Sequence, residues 1–312
     1  MEQPLFVIDA DKVASMAKDS GLSVLQLLPS LVKSAQKLAR PPISKYHVGT
    51  VGLGSDGRIF LGGNLEFPGL PLHHSVHAEQ FLITNAAING ETQLKFIAVS
   101  SAPCGHCRQF LQELRGAKEI KILITSTENG GDSEEDEVFR PISYFLPHRF
   151  GPDDLLDKDV PLLLEPHHNG LVLDNVNSNH TIHCNGNLNG GVHDLLKSAA
   201  LEATNNSHSP YSGCPSGVAL MDSEGKVYKG SYMESAAYNP SLGPVQAAVI
   251  AFVASGGGKY SSIVAAALVE KEGVAVQQEG TARLLLQSVS PKCDFRVFHC
   301  SSSVNCCKKP SS

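Results

Sequence analysis

The sequence predicts an α/β protein built from two homologous three-layer α/β/α domains with mixed sheets. Three observations carry that prediction: an alternation of strand-like and helix-like segments in the first half, an internal repeat of that pattern in the second, and enough apolar residues for two cores. The chain has 312 residues, 42% hydrophobic and 18% charged, a composition that favours folded domains over disorder at a length suited to two of them. No run approaches the ~18 consecutive apolar residues of a membrane-spanning helix.

The elements follow in order. Val24, Leu27, Leu28, Leu31 and Val32 recur at helical spacing, so residues 9–40 read as helical, with a break at Arg40, Pro41 and Pro42. A hairpin follows, 48–53 and 58–61 around a Ser55, Asp56, Gly57 turn. Residues 75–87 read as a helix, 94–100 as a buried strand, 103–114 as a helix with Pro103 near its first turn, and 120–125 as a strand. The order β-β-α-β-α-β implies a mixed sheet covered by helices. The acidic stretch at 128–137 reads as a solvated loop.

The hairpin then recurs. Val48, Gly49, Thr50 and Val51, running on to Gly57, Arg58, Ile59, Phe60, Leu61 and Gly62, resemble Ser216, Gly217, Val218 and Ala219, running on to Gly225, Lys226, Val227, Tyr228, Lys229 and Gly230. Glu66 falls opposite Glu234 and, after a two-residue slip, Gln80 opposite Gln246. The expected organisation is a first domain over 1–150, a connector rich in Asp, Asn, His and Pro over 151–189, a second domain over 190–300, and a small, polar, disordered tail over 301–312.

Composition narrows the function classes. Lys and Arg total 25 against 31 Asp and Glu, a net charge of −6. Polynucleotide partners favour a basic stripe, and this chain supplies none, so small molecules are the expected ligands, with no nucleic acid and no membrane. The N-terminus has no long apolar region and carries Glu2, Asp9 and Asp11 early, unlike a signal or transit peptide, so a cytoplasmic address is expected. Eight cysteines are too sparse for a disulfide scaffold and read as thiols or metal ligands. Cys184, Cys214, Cys293 and Cys300 lack ligand spacing and read as buried thiols, and Cys306 and Cys307 fall in the tail.

The chemistry concentrates in His77, Ala78, Glu79 and, further on, Pro103, Cys104, Gly105, His106, Cys107. This is H-x-E…P-C-x-x-C, the pattern of zinc-dependent nucleobase deaminases. Two cysteines three apart on a helix lie about 300° round and can face one point, and a helix N-terminus favours thiolates. One His and two thiolates leave the fourth tetrahedral position open, as in catalytic rather than structural zinc sites. Two thiolates also neutralise Zn²⁺, and the residue after Glu79 is the neutral Gln80. Zinc lowers the pKa of a bound water to about 7, and Glu79 can shuttle the proton. Residues two apart on a helix point about 200° away from each other, so His77 and Glu79 cooperate only at a helix end, with Ser75 as a candidate cap. Two alternatives stand beside this reading: core cysteines beside an unrelated His and Glu, or a closed structural zinc site. The latter needs a fourth ligand, for which His106 is turned away and His73 and His74 read as surface loop.

On His77, Ala78, Glu79, Gln80 and on 101–110, Ser-Ala-Pro-Cys-Gly-His-Cys-Arg-Gln-Phe, the chain resembles the cytidine deaminases in their two-domain homodimeric form, found in enteric bacteria and plants, and most closely the plant form. The resemblance is strong over about 40–160 and weaker over about 190–300. It implies one Zn²⁺ per chain held by His77, Cys104 and Cys107, Glu79 as the catalytic acid and base, and hydrolysis of cytidine and 2′-deoxycytidine to uridine and 2′-deoxyuridine with release of ammonia, a pyrimidine-salvage reaction. The family's N-x-E segment, here Asn64, Leu65, Glu66, implies a ribose site. An amide and a carboxylate two apart on an extended segment do project to one side, although Asn64 alone also reads as a turn residue. Tyr46 stands where the family stacks an aromatic, usually Phe, on the pyrimidine. Opposite His77 and Glu79 in the second copy stand Gly243 and Val245, with no P-C-x-x-C after them, so the second domain is expected to be catalytically degenerate. By the same resemblance the chain forms a homodimer, with 234–238 a candidate contact in trans or simply packing of a decayed duplicate. Two rivals remain: a deaminase acting within RNA or DNA, and a zinc-binding regulatory protein with a decayed activity, against which the intact Glu79 weighs.

Overall fold

The computed structural model describes residues 5–125, 138–173 and 190–302. The acidic stretch, Cys184, Cys306, Cys307 and all but the first two residues of the expected tail lie outside them. Two sheets form, one from each half. The first has strand order β1 (Val7–Ile8), β3 (Ile59–Gly63), β2 (Gly49–Gly54), β4 (Leu94–Val99), β5 (Lys121–Ile124), β6 (Arg140–Pro141). Its β4 and β5 run parallel and its other pairs antiparallel, which makes it mixed as the alternation predicts. The second has order β7 (Leu171–Leu173), β11 (Asp294–Ser302), β10 (Ile263–Lys271), β8 (Ser216–Asp222), β9 (Val227–Ser231), with only β10 and β11 parallel. The strand β7 lies inside the stretch read as connector, which therefore supplies an edge to the second sheet.

The expected helix over 9–40 is two helices, α1 (Ala10–Ser20) and α2 (Val24–Gln36), broken at Gly21 in the left-handed conformation and restarted by a capping box between Ser23 and Gln26. They cover the outer face of the first sheet, with Leu27, Leu28 and Val32 packed on Val51, Ile59 and Leu61. After the one-turn helix α5 (Ile142–Phe145), α6 (Gly190–Asn205) plays the same part on the second sheet, Leu196 and Ala200 packing on Ala219, Ala265 and Val269.

Between the sheets lie α3 (Ala78–Ile88) and α7 (Pro244–Ala254), in contact with each other. Every residue of α3 from Ala78 to Ala86 and of α7 from Pro244 to Val253 is buried, as in a helix enclosed on all sides. One apolar cluster joins Phe81, Leu82 and Ile97 of the first half to Val245, Phe252 and Leu268 of the second. The halves therefore share a core through α3 and α7. No helix among the described residues is long and apolar enough to cross a membrane.

Candidate active site

The candidate site stands on the N-terminal ends of α3 and α4 (Gly105–Phe110). Here the structure corrects two sequence expectations. The cap of α3 is His77 itself, in extended backbone at φ −79°, ψ 153°, rather than Ser75. Being outside the helix, His77 is freed from the helical rotation and can reach the same point as Glu79 in the first turn. Likewise Cys104 is the extended cap of α4, at φ −68°, ψ 170°, and Pro103 precedes the helix. The two sulfurs meet because a cap residue turns back over the first helical turn, not through a shared helical face.

His77 Nδ1 lies 3.5 Å from Cys104 Sγ and 3.3 Å from Cys107 Sγ, and the sulfurs are 3.7 Å apart. Tetrahedral zinc with bonds of about 2.3 Å to sulfur and 2.0–2.1 Å to nitrogen holds its sulfurs about 3.8 Å apart and each about 3.6 Å from the nitrogen. The triangle fits such an ion. Among the described residues it is the one cluster of His, Cys or acidic groups able to hold a metal. His106 stacks on the His77 ring at 4.7 Å and 22°, while Arg108 closes the turn by donating from Nε to the Pro103 carbonyl at 2.6 Å.

Among the protein groups alone, the two cysteines behave as one thiolate and one thiol. The Cys107 thiol and then the His77 ring, both hydrogen-bonded to Cys104, bring its pKa down to about 3. The bond to Cys104, followed by burial, pushes Cys107 well up. Cys107 would have to give up that remaining proton to ligate a divalent cation, as thiolate ligation requires. Glu79 is buried, its Oε2 3.2 Å from Cys107 Sγ. Burial pushes its carboxyl above the usual glutamate range, the direction that suits a group which takes up and returns a proton during a reaction.

Asn64 and Glu66 flank Leu65, which bridges to both Arg40 and Val76 and is fully buried. Both polar side chains grip the 43–48 segment. Asn64 Nδ2 donates to the Tyr46 carbonyl at 3.0 Å and its Oδ1 accepts from Val48 N at 2.9 Å. Glu66 Oε2 accepts from Ile43 N at 2.8 Å and Ser44 N at 2.9 Å, and Oε1 from the Ser44 hydroxyl. Burial opposes ionisation of Glu66, but the Ser44 and Ile43 donors outweigh it and hold the carboxyl below its ordinary value. The half-exposed Tyr46 is thus fixed by its backbone, and its hydroxyl meets Ser101 Oγ at 2.7 Å, just before the Pro103, Cys104 turn. Sequence reading singled out all seven residues, but not His106, and not the partners of Gln80 described below. The capping-box spacing of Gln80, three after His77, is the signal that could have revealed the latter.

The repeat is visible in the same detail. Met233 bridges His208 and Leu242 as Leu65 bridges Arg40 and Val76. Glu234 accepts from Tyr211 N, Ser212 N and the Ser212 hydroxyl, repeating the grip of Glu66. The helix α7 is capped by Gly243 where α3 has His77, and Val245 stands where α3 has Glu79. His73 and His74 lie on a short turn with their rings against each other at 4.4 Å, Cys214 and Cys300 are buried, and Cys293 is half-buried.

A His and two cysteines around a zinc-sized point, with a buried carboxyl beside them on a helix N-terminus, define a zinc-dependent hydrolase of the nucleobase-deaminase type. Comparison with known proteins makes the class specific. Family models described as "Cytidine and deoxycytidylate deaminase zinc-binding region" match residues 23–124 and 142–283, one in each half. The chain is 62% identical to cytidine deaminase 1 of Arabidopsis thaliana over 96% of its own length and 99% of that protein's. It is 35% identical to a cytidine deaminase of Shewanella frigidimarina over 91% and 85% of the two chains. A crystal structure of cytidine deaminase from Mycobacterium tuberculosis is similar at 27% identity, covering 40% of this chain and 96% of that one, with a TM-score of 0.34. The chain belongs to the cytidine deaminase family: it is an enzyme, and its cofactor is zinc.

Proposed function

We propose that the enzyme hydrolyses cytidine and 2′-deoxycytidine to uridine and 2′-deoxyuridine, releasing ammonia, as a cytosolic pyrimidine-salvage activity of a homodimer. The observation that carries the proposal is the Glu79 carboxyl against the metal-sized triangle of His77, Cys104 and Cys107. Those three residues hold one zinc per chain. When bound, zinc supplies Lewis acidity that makes a water nucleophilic near neutral pH. Glu79 Oε2 takes the proton that water gives up as its oxygen adds to C4. It delivers that proton to N3, then takes the second proton from the new C4 hydroxyl and passes it to the departing amine, so that C4 keeps the oxygen as a carbonyl, water is consumed and ammonia leaves. The Ser101, Ala102, Pro103 turn lies against the base, the Tyr46 ring offers a π-face to the pyrimidine, and Asn64 and Glu66 meet the ribose hydroxyls as donor and acceptor.

The division of labour places catalysis in residues 1–150 and support in 190–300, whose Gly243 and Val245 offer neither a ligand nor a proton shuttle. A net charge of −6 and a carboxylate at the sugar favour free nucleosides over nucleotides and polynucleotides. The ultraviolet difference signal of cytidine mixed with zinc-loaded protein tests this directly. Conversion to uridine is expected for both nucleosides, while turnover of single-stranded nucleic acid without turnover of cytidine overturns the substrate assignment.

A further inference from the structure

We propose that Gln80 is a positioning residue that sets the backbone of the metal ligand His77 and ties it to the second half of the chain; this rests on the zinc reading of the site. Gln80 is 1% exposed, and a buried amide needs partners at both of its ends. Its Oε1 accepts from the His77 backbone N–H at 3.2 Å, and its Nε2 donates to the carbonyl of Pro240, in the other half, at 2.9 Å. His77 needs such a constraint. As the cap of α3 its N–H has no partner within the helix, so the direction in which its imidazole leaves the backbone depends on what holds that N–H. His106 fixes the face of the ring; Gln80 fixes its root.

The far end of the tie is itself anchored. Pro240 lies in the loop that runs from Glu234 to Gly243. Within that loop Ser235 N donates to Ser241 Oγ at 3.0 Å. Ala236 N donates at 2.8 Å to Oε1 of the fully buried Glu113, which lies just past α4. Glu113 also accepts from the Tyr211 hydroxyl at 2.5 Å. Both segments that carry metal ligands, the start of α3 and the α4 region, therefore hold one loop of the second half, at Pro240 and at Ala236. A half without a metal cluster among its described residues has a reason to be retained: it holds the ligand geometry of the other.

The test uses the full chain and two substitutions. Gln80→Met keeps the volume and removes both bonds; Ser241→Ala loosens the loop at Ser235 without altering a metal ligand or Gln80. Each is loaded with cobalt(II) and with zinc. The readouts are the cobalt d–d and thiolate charge-transfer absorption, the rate of zinc loss to a chromophoric chelator, and kcat and KM for cytidine. The expected result is an altered cobalt spectrum, zinc loss about 10–100-fold faster in Gln80→Met, a kcat that falls more than KM changes, and a smaller shift of the same kind in Ser241→Ala. Cobalt spectra and zinc-loss rates equal to the parent's overturn the proposal even if the melting temperature drops. If Gln80→Met does not fold, Ser241→Ala decides alone. A parent that binds cobalt through thiolates yet leaves cytidine unchanged refutes the substrate assignment and leaves this test standing; a parent that takes up no cobalt overturns both.

Discussion

At the residue scale, the site depends on a few side chains that serve two purposes. Glu66 is proposed to face the ribose and also pins the 43–48 segment through Ile43 and Ser44. Its carboxyl is held below its ordinary value, so its contribution to stability is full above the unfolded value of about 4.3 and is lost as pH falls through the lower folded value. The gap in denaturation midpoint between parent and Glu66→Gln is therefore expected to be largest near pH 7 and to close below about pH 4; a gap independent of pH removes the ionised carboxylate from the account. Tyr46→Phe keeps the ring and loses the bond to Ser101. Its kcat/KM is expected to fall less than about tenfold, the cost of one hydrogen bond, while Tyr46→Ala raises the KM for cytidine by more. The cluster of His77, Glu79, Cys104 and Cys107 was legible because the motif fixes residue type and spacing together, whereas Asn64, Glu66 and Tyr46 were pointed to by the family resemblance. The partners of Gln80 and Glu113 were not, since Pro240, Ala236 and Tyr211 lie far along the chain in the other half and no local pattern links them.

At the element scale, the helix that carries His77 and Glu79 is set by how closely it approaches the sheet. A Cβ on Gly62 would lie 2.5 Å from the Ala78 carbonyl oxygen and 2.7 Å from Leu82 N, and one on Gly230 would strike Ala248 N and the Pro244 carbonyl in the same way. Both contacts are with backbone, so Gly→Ala at either place must push a helix outward at a cost of about 1–3 kcal/mol. The two substitutions are expected to lower the melting temperature alike. Gly62→Ala displaces α3 and weakens zinc binding, whereas Gly230→Ala displaces α7 and affects the metal less; equal zinc affinities would contradict the assignment of the site to α3. In the first half the main strands and helices were readable from periodicity and turn residues; in the second only the hairpin was, through the repeat. The short edge strands β1, β6 and β7 were not, because two or three residues carry no period and their pairing is decided by the neighbouring strand. The helix caps at His77 and Cys104 were misplaced for a related reason: neither is a usual capping residue, and metal-site geometry overrides the local preference.

At the scale of the whole molecule, the two halves resemble each other yet share one interior. The helices α3 and α7 are buried by each other and by both sheets, so separating the halves exposes apolar side chains of both, Phe81 and Leu82 of α3 and Val245 and Phe252 of α7 among them. A single cooperative unfolding transition is expected in calorimetry, with no independently folded first half after removal of the residues from 190 onward; two resolved transitions would mean that the shared core contributes little. The repeat was legible from the matching hairpins and from Glu66 opposite Glu234, and so was the missing metal motif in the second copy. The way the copies pack was not, since no local pattern says what the helix read at 75–87, or its counterpart in the second copy, is buried against. The central claim is that one zinc site in the first half, with Glu79 as its proton carrier, does the chemistry. Its most direct test is zinc content and cytidine turnover measured together on parent and Glu79→Gln. The account predicts one zinc per chain in both and a rate lower by about 10²–10⁴ in the variant. An unchanged rate, or a second zinc bound in the other half, would contradict it.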